Sequence, residues 1–228
     1  DAEFESLIEN YIKEVVGRYK GRIASWDVVN EAFEDGSGHP LRNSVFRQKL
    51  GPDYIAKAFE WAREADPEVL LFYNDYGIAN DGTKLAAVID LVDDFQERGI
   101  PIDGVGFQMH VSYNWPSMSA IESATAKVVV RDLMIHYSEL DIRLNGDKAE
   151  SSYNNTLAER HVNRINDIVS FYRTVPEEYR FGITNWGVKD DDTWLRDFWG
   201  NEDEWPLLYD EDFNPKEAHQ AIIDIFEN

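Results

Sequence analysis

Along almost the whole chain, short apolar runs alternate with longer segments in which apolar residues recur at helical spacing. In the first helical segment, apolar residues lie three or four positions apart from Phe4 to Tyr19, and Gly21 follows where a helix end favours a left-handed residue. The next run, IASWDVVN, is short, largely apolar and typical of a buried strand. The pattern therefore predicts a helix and then a strand at the start of the chain.

This alternation continues through the rest of the chain without a linker or a low-complexity stretch. Helical spacing predicts further helices at about 52–66, 82–98, 119–130, 156–173 and 214–226. Between them lie four more predicted strands, VLLFYND, GVGFQMH, LMIHYSEL and RFGITNW. Because buried strands that alternate with helices form a parallel sheet covered by helices, we predict an α/β fold and a single domain over residues 1–228.

Two parallel α/β layouts fit this order, an open doubly wound sheet and a (β/α)8 TIM barrel. A nucleotide-binding open sheet carries a Gly-rich turn after its first strand, and neither G-x-G-x-x-G nor a P-loop is present. Polar and aromatic residues instead follow strand after strand, where a barrel builds its active site: Asn30 and Glu31, Asn74 and Asp75, Gln108 and His110, Glu139, and Trp186. A barrel is therefore predicted, although five strands are counted and a closed barrel needs eight.

Charge and composition narrow the class of partner. The 228 residues include 44 acidic and 22 basic side chains, and the formal charge of −22 would repel a nucleic-acid backbone. A neutral polysaccharide is not repelled, and 7 Trp, 11 Tyr and 12 Phe offer apolar faces to sugar rings. The chain has no cysteine, which excludes disulfides, and no apolar run reaches the ~18–20 residues that cross a bilayer.

Two glutamates, Glu31 and Glu139, each follow or end a predicted strand, so a barrel would bring both to one rim. Glycoside hydrolysis needs such a pair, because one carboxylic acid protonates the departing oxygen while the other attacks or stabilises the anomeric carbon. A separation of ~5–5.5 Å would give retention and ~6.5–9.5 Å inversion, and sequence spacing leaves both open. The competing interpretation is two solvated carboxylates among 44 acidic residues.

The residues near these glutamates favour a catalytic role over that of solvated surface carboxylates. Asn30 directly precedes Glu31, and Gln108 and His110 lie two residues apart on one face of their strand. Asp141 lies two residues beyond Glu139, and a Glu–His–Asp set can hold a nucleophile ionised and oriented. The histidines are scattered and lack the spacing of a zinc site, so a metal site is not predicted. They are His39, His110, His136, His161 and His219.

Four tryptophans lie at or beyond the last predicted strand. The polar stretch between Trp186 and Trp194 places Trp194 on a loop near the rim, where stacking on a sugar is a reasonable use for it. Trp199 and Trp205 lie in the same loop-rich region and are expected to be structural.

Taken in order, these segments resemble glycoside hydrolase family 10, the family of retaining endo-β-1,4-xylanases. WDVVNEAF resembles the acid/base segment at the fourth barrel strand, and GVGFQMH the sixth strand. SELDI resembles the nucleophile strand, with Ser138 where the family usually has Thr, and NWGVKDDDTWL resembles the eighth strand. The long segment RNSVFRQKLGPDYIAKAFEWAREADPEVLLFYNDYG and the closing PLLYDEDFNPKEAHQAI also match, so the resemblance covers nearly the whole chain.

The resemblance implies a role for each matching residue. Glu31 would be the acid/base and Glu139 the nucleophile, with no cofactor. Asn30 would bind the 2-hydroxyl of the sugar at the cleavage point. His110, oriented by Asp141 and with Gln108 beside it, would contact the nucleophile. Trp186 and Trp194 would wall the central subsites, and Asn74 and Tyr76 match a cleft-lining segment.

The resemblance also implies that three βα units precede Asp1 in the family's barrel, so the chain would supply strands four to eight. We therefore expect the missing N-terminal segment to be a partner, and the isolated chain to be weakly stable and largely inactive. Secretion is expected from the polymeric substrate alone, because the amphipathic opening is not a signal peptide. The alternatives are a β-1,4-glucanase of the same clan and a catalytically incompetent xylo-oligosaccharide-binding module.

Overall fold

The computed structural model describes residues 2–36 and 38–227. Helices and strands alternate along these residues, as the apolar pattern predicts. The helices are α1 (Ala2–Arg18), α2 (Val45–Leu50), α3 (Tyr54–Ala65), α4 (Thr83–Arg98), α5 (Met118–Val129), α6 (Asn155–Thr174), α7 (Leu195–Trp199) and α8 (Glu217–Glu227). The strands are β1 (Ser25–Asn30), β2 (Leu70–Asp75), β3 (Gly104–Phe107), β4 (His110–Ser112), β5 (Met134–Arg143) and β6 (Arg180–Asn185).

The helix ends follow local chemistry. Gly99 closes α4 with φ of 70°, a left-handed conformation that glycine adopts without a steric penalty, and its N–H donates to the carbonyl of Gln96. The short helix α2 has no counterpart among the predicted helices. It begins after Ser44, whose side chain accepts a hydrogen bond from the N–H of Arg47 at 3.2 Å.

One predicted strand is divided in two. The run GVGFQMH forms β3 and β4 with Gln108 and Met109 between them, and Met109 has φ of 60°. A left-handed residue turns the chain out of the extended conformation, so the strand pairing is interrupted there. Gln108 therefore lies in a break of the strand, and His110 begins a new one.

The chain forms two compact units, residues 1–107 with 124–135 and residues 108–123 with 136–228. In the first unit, β2 pairs in parallel with β1 and with β3. The interior of β2 is buried, with Phe72 and Tyr73 among the largest fully buried side chains. Gly104 on β3 leaves room for Phe72, because a Cβ there would lie 2.2 Å from the phenylalanine ring.

In the second unit, β5 pairs in parallel with β4 and is also paired with β6. Helices α6 and α8 pack together, and the ring of Tyr137 on β5 lies 4.9 Å from that of Tyr172 on α6. The α/β architecture with parallel strand pairs is therefore confirmed. No helix in residues 2–36 and 38–227 is both long and apolar enough to span a membrane.

Strand register pairs polar residues of neighbouring strands, although Glu139 and Asp141 lie inside β5 and not at its end as the sequence predicts. Asn30 of β1 lies opposite Asn74 of β2, and His110 of β4 lies opposite Asp141 of β5. Gly106 makes room for the first pair, because a Cβ there would lie 2.2 Å from Oδ1 of Asn74. Parallel pairing thus forms one cluster of polar side chains in each unit.

Candidate active site

In the first unit, Glu31 follows β1 in a left-handed conformation, with φ of 54°. A non-glycine residue holds this conformation only where its surroundings stabilise it. Here the N–H of Glu31 donates to the carbonyl of Asn74 at 2.9 Å, and the N–H of Ala32 donates to Oη of Tyr73 at 3.0 Å. Two successive amides therefore determine the direction in which the Glu31 side chain leaves the strand.

A buried network stands behind this turn. Oη of Tyr73 donates to Oδ2 of Asp75 at 2.6 Å, and Nζ of Lys84 lies 2.8 Å from Oδ1 of the same carboxylate. All three side chains are buried. Burial raises the pKa of Asp75. The hydrogen bonds from Lys84 and Tyr73, together with the positive charge of Lys84, oppose that shift. Burial also raises the pKa of Tyr73 well above its usual value, so its hydroxyl keeps the proton that it donates.

The Glu31 carboxylate itself is partly open to solvent, with 38% of its side chain exposed, and Nη2 of Arg42 lies 3.9 Å from its Oε2. Arg42 also donates to Oη of Tyr76 at 2.8 Å, and Tyr76 donates to Asp35. Burial and the hydrogen bond to Asp35 raise the pKa of Tyr76 to about 12. Tyr76 therefore stays protonated and links the cation beside Glu31 to a carboxylate.

Sequence reasoning did not find Arg42, Asp35, Tyr73 or Lys84. Arg42 and Tyr73 lie in the long segment that resembles family 10, but no residue pattern assigns a role to any of the four, because they are brought together only by packing. Asn30, which was predicted, accepts a hydrogen bond at Oδ1 from Nδ2 of Asn74 at 3.0 Å. That contact orients the Asn30 amide next to the glutamate.

In the second unit, Glu139 lies on β5 and is only 9% exposed. Nε2 of His110 is 3.3 Å from Oε2 of Glu139, and Nδ1 of His110 is 3.0 Å from Oδ2 of Asp141. The Nδ1 contact does not have hydrogen-bond geometry and is a contact between opposite charges. Oδ2 of Asp141 also accepts a hydrogen bond from Nε1 of Trp194 at 2.8 Å.

The two carboxylates determine the charge of His110. Burial alone would lower its pKa, but Asp141 and Glu139 outweigh burial and raise the pKa from 6.5 to about 9. At neutral pH an imidazolium therefore lies against the Glu139 carboxylate. His136, on the same strand as Glu139, differs because burial lowers its pKa to about 4, and its Nε2 lies 2.9 Å from Oγ1 of Thr184.

Aromatic rings surround the His110 imidazole. Its centroid lies 4.9 Å from that of Trp194 and 6.4 Å from that of Trp186, both in edge-to-face arrangements. The N–H of Trp186 donates to the carbonyl of Leu140, which places Trp186 beside the residue that follows Glu139. Gln108 is buried in the break between β3 and β4.

The predicted site residues thus fall into two groups. Asn30 and Glu31 lie in the first unit. The second unit contains the others, and five of them are linked there through His110: His110, Glu139, Asp141, Trp186 and Trp194. Among residues 2–36 and 38–227, no group of three or more His, Asp and Glu side chains has an arrangement that could hold a metal ion.

Comparison with known proteins decides the family. The model of glycosyl hydrolase family 10 matches residues 1–225. This chain belongs to that family. It is 42% identical to the endo-β-1,4-xylanase Xyn10C of Cellvibrio japonicus, over 97% of this chain and 40% of that protein. It is 40% identical to an endo-1,4-β-xylanase of Geobacillus stearothermophilus, over 96% of this chain and 67% of that protein.

Solved structures agree with the family assignment. A variant of xylanase 10C from Cellvibrio japonicus, in complex with xylopentaose, superimposes with a TM-score of 0.93 at 38% identity, over 98% of this chain and 48% of that one. Xylanase 10B of Thermotoga maritima gives a TM-score of 0.89 at 33% identity, over 99% of this chain and 67% of that one. Family 10 structures are (β/α)8 barrels, so the predicted fold class is confirmed, and this chain contains part of such a barrel.

Proposed function

We propose that this chain supplies both catalytic carboxyl groups of a retaining endo-β-1,4-xylanase, Glu31 as acid/base and Glu139 as nucleophile. The observation that carries the proposal is the charged His110 held between Glu139 and Asp141. An imidazolium beside a buried carboxylate favours its negative charge, which a nucleophile needs. Family membership and the xylanase relatives support xylan as the substrate.

In the first step, the Glu139 carboxylate attacks the anomeric carbon of a xylose unit while Glu31 protonates the glycosidic oxygen. The bond to the leaving sugar breaks, and a covalent xylosyl–Glu139 ester forms. In the second step, Glu31 takes a proton from water, the water oxygen attacks the same carbon, and Glu139 leaves as a carboxylate. Two inversions give net retention, and Glu31 ends in its starting protonation state.

The remaining predicted residues position the substrate and the nucleophile. Asn30 binds the 2-hydroxyl at the cleavage point, a contact that strengthens towards the transition state. Asp141 orients His110, and Gln108 lies beside them. Trp186 and Trp194 stack against sugars of the central subsites. No cofactor takes part.

We further propose that residues 1–228 are the C-terminal portion of one catalytic barrel and that an N-terminal segment completes it. The chain spans 40% of Xyn10C and 48% of the solved chain of xylanase 10C. Strand β1 lies at one end of the strand order, beside a cavity of about 530 Å³. Apolar side chains dominate the lining of that cavity, including Ile12 of α1, Val29 of β1 and Phe46 of α2.

These features support a partner of the same barrel at β1, since an exposed apolar face and a strand edge are what a neighbouring βα unit covers. The isolated chain would then be weakly stable and largely inactive. Because xylan is a polymer outside the cell, and the relatives are xylanases, we propose that the protein acts as a secreted enzyme.

The test compares this chain alone with a completed barrel, in which the chain is fused to the N-terminal third of the Geobacillus stearothermophilus xylanase. We expect the completed barrel to release reducing sugars from xylan and to leave carboxymethyl cellulose unchanged. The anomeric configuration of the first product, followed by NMR, should be that of the substrate.

Several outcomes would contradict the proposal. Inversion of the anomeric configuration would rule out Glu139 as a nucleophile. Hydrolysis of carboxymethyl cellulose that is faster than that of xylan would favour the glucanase alternative. Binding of xylo-oligosaccharides without turnover would favour a binding module. Strong xylan hydrolysis by the 228-residue chain alone would refute the completion of the barrel by a further segment.

A further inference from the structure

The segment after β6 presents two aromatic side chains to solvent. Phe198 is 64% exposed and Trp199 is 47% exposed, although both lie on the short helix α7 directly after Trp194. The sequence alone indicates a structural role for Trp199, and large exposed aromatic groups do not stabilise a fold by burial. Their position relative to the nucleophile strand indicates another use.

Strand β5 displays a row of side chains on one face, because residues two apart along a strand point the same way. Glu139, Asp141 and Arg143 form this row. Each of the three side chains contacts an aromatic ring. The His110 imidazole contacts Glu139, and the indole N–H of Trp194 donates a hydrogen bond to Asp141. The guanidinium of Arg143 lies 4.2 Å from the centroid of the Trp199 ring.

The aromatic rings are also contiguous with one another. The Phe198 centroid lies 4.8 Å from that of Trp194 and 5.0 Å from that of Trp199. Four residues of a strand span about 13 Å, so the ring on Arg143 lies roughly that far along β5 from Glu139. The row therefore extends from the proposed nucleophile to the open surface of the second unit.

The loop that carries these rings is held by buried polar contacts. The carboxylate of Glu204, which is fully buried, accepts hydrogen bonds from the backbone N–H groups of Leu144 and Asn145 at 3.0 and 3.2 Å. Arg196 donates to the carbonyl of Glu204 through Nε and Nη2. Because the loop is tied to the segment that follows β5, the exposed rings are pre-organised, which lowers the entropy cost of binding.

We propose that Phe198 and Trp199 form an outer sugar-binding subsite that takes a neutral pyranose unit of the same xylan chain, beyond the units held at Trp194. This proposal rests on the proposed function. Continuity with Trp194 favours the polymer as occupant. The exposed carboxylates of Asp197 and Glu202 adjoin the pair in sequence and disfavour an anionic ligand.

The experiment measures binding by calorimetry in the completed barrel, with Glu31→Gln present throughout so that the ligand is not hydrolysed. Xylobiose and xylohexaose are the probes, and the test variant is Phe198→Ala with Trp199→Ala. We expect the affinity for xylohexaose to fall about three- to tenfold, the loss of one or two aromatic contacts. The affinity for xylobiose should not change.

A matched control removes an exposed aromatic group elsewhere in the same unit. Phe226→Ala alters a side chain of α8 that is 53% exposed, and it should bind both probes as the parent does. The single variant Trp199→Phe keeps an aromatic ring against Arg143, so it should bind xylohexaose more tightly than the double alanine variant does. Equal thermal unfolding midpoints for parent and variants would show that the fold is intact.

Each alternative result is distinct. Xylohexaose binding by the double variant at the parent's affinity overturns the outer subsite while leaving the proposed xylanase function standing. Equal losses for both oligosaccharides overturn it too, because the defect then lies at the inner subsites. If the parent itself binds neither oligosaccharide, the proposed function has failed and the subsite fails with it.

Discussion

The two glutamates lie in opposite surroundings. Glu31 is partly exposed on a left-handed turn, and an arginine nitrogen lies 3.9 Å from its carboxylate. Glu139 is nearly buried in the middle of a paired strand, against a histidine whose own pKa is raised to about 9. An acid/base must exchange its proton with a leaving group and then with water, whereas a nucleophile must stay charged. Under the proposed assignment, the difference teaches that one residue type can serve both roles because its neighbours differ.

Removing the nucleophile should have the largest effect on activity. We expect Glu139→Ala in the completed barrel to lose more than the ~10²–10⁴-fold that a general acid or base contributes, because no covalent intermediate can form. The loss should be equal for xylan and for an aryl xylobioside with a good leaving group. Normal rates for either substrate would disprove the assignment of Glu139.

Removing the acid should separate the two substrates. Glu31→Ala should slow xylan hydrolysis by about 10²–10⁴-fold, because the sugar oxygen then leaves without a proton. Formation of the covalent intermediate from the aryl xylobioside needs little protonation and should be much less affected, as a pre-steady-state burst of phenol would show. Equal defects on both substrates at this step would argue that Glu31 is not the acid.

The turn that carries Glu31 should depend on one hydroxyl. Tyr73→Phe removes the acceptor of the Ala32 N–H and the donor to Asp75, at a cost of about 1 kcal/mol or more in stability. We expect kcat for xylan to fall several-fold with little change in KM. Tyr19→Phe, which keeps its ring beside Trp26 in the same unit, is the control. A similar kcat for both variants would limit Tyr73 to a structural role.

The smallest expected effects are on the pKa values of two histidines. NMR titration of this chain should show His110 with a pKa near 9 and His136 with one near 4. Glu139→Gln should lower both pKa values, because the Glu139 charge raises the pKa of each histidine, and the larger drop is expected at His110, which also contacts the Glu139 carboxylate. Because the folded-state pKa of His110 lies above 6.5, its charge stabilises the fold below pH 6.5, and this contribution is lost as the pH rises through 9.

The contribution of His136 to stability depends on pH in the opposite direction. Its folded-state pKa lies below 6.5, so the unfolded chain binds a proton more readily and stability falls as the pH drops from 6.5 towards 4. A neutral His110 at pH 7.5 would contradict the charged Glu139–His110–Asp141 arrangement on which the nucleophile assignment depends.

Periodicity in the sequence determined most of the helices and strands. Apolar spacing of three and four residues located α1, α3, α4, α5, α6 and α8, and the short apolar runs located the strands. Parallel pairing then follows from the alternation, and with it the pairing of Asn30 at the end of β1 with Asn74 near the end of β2. These properties depend on residues that are close together in the sequence, or on the order of the elements, so the sequence alone is enough to predict them.

Tertiary structure alone decided the surroundings of the two glutamates. The left-handed turn at Met109 splits a run that reads as one strand, and the Tyr73 hydroxyl supports the Glu31 turn from a distance of 41 residues along the chain. The contact of Trp199 with Arg143 likewise joins separate segments. Such contacts depend on how segments pack, and periodicity cannot encode them because it describes one element at a time.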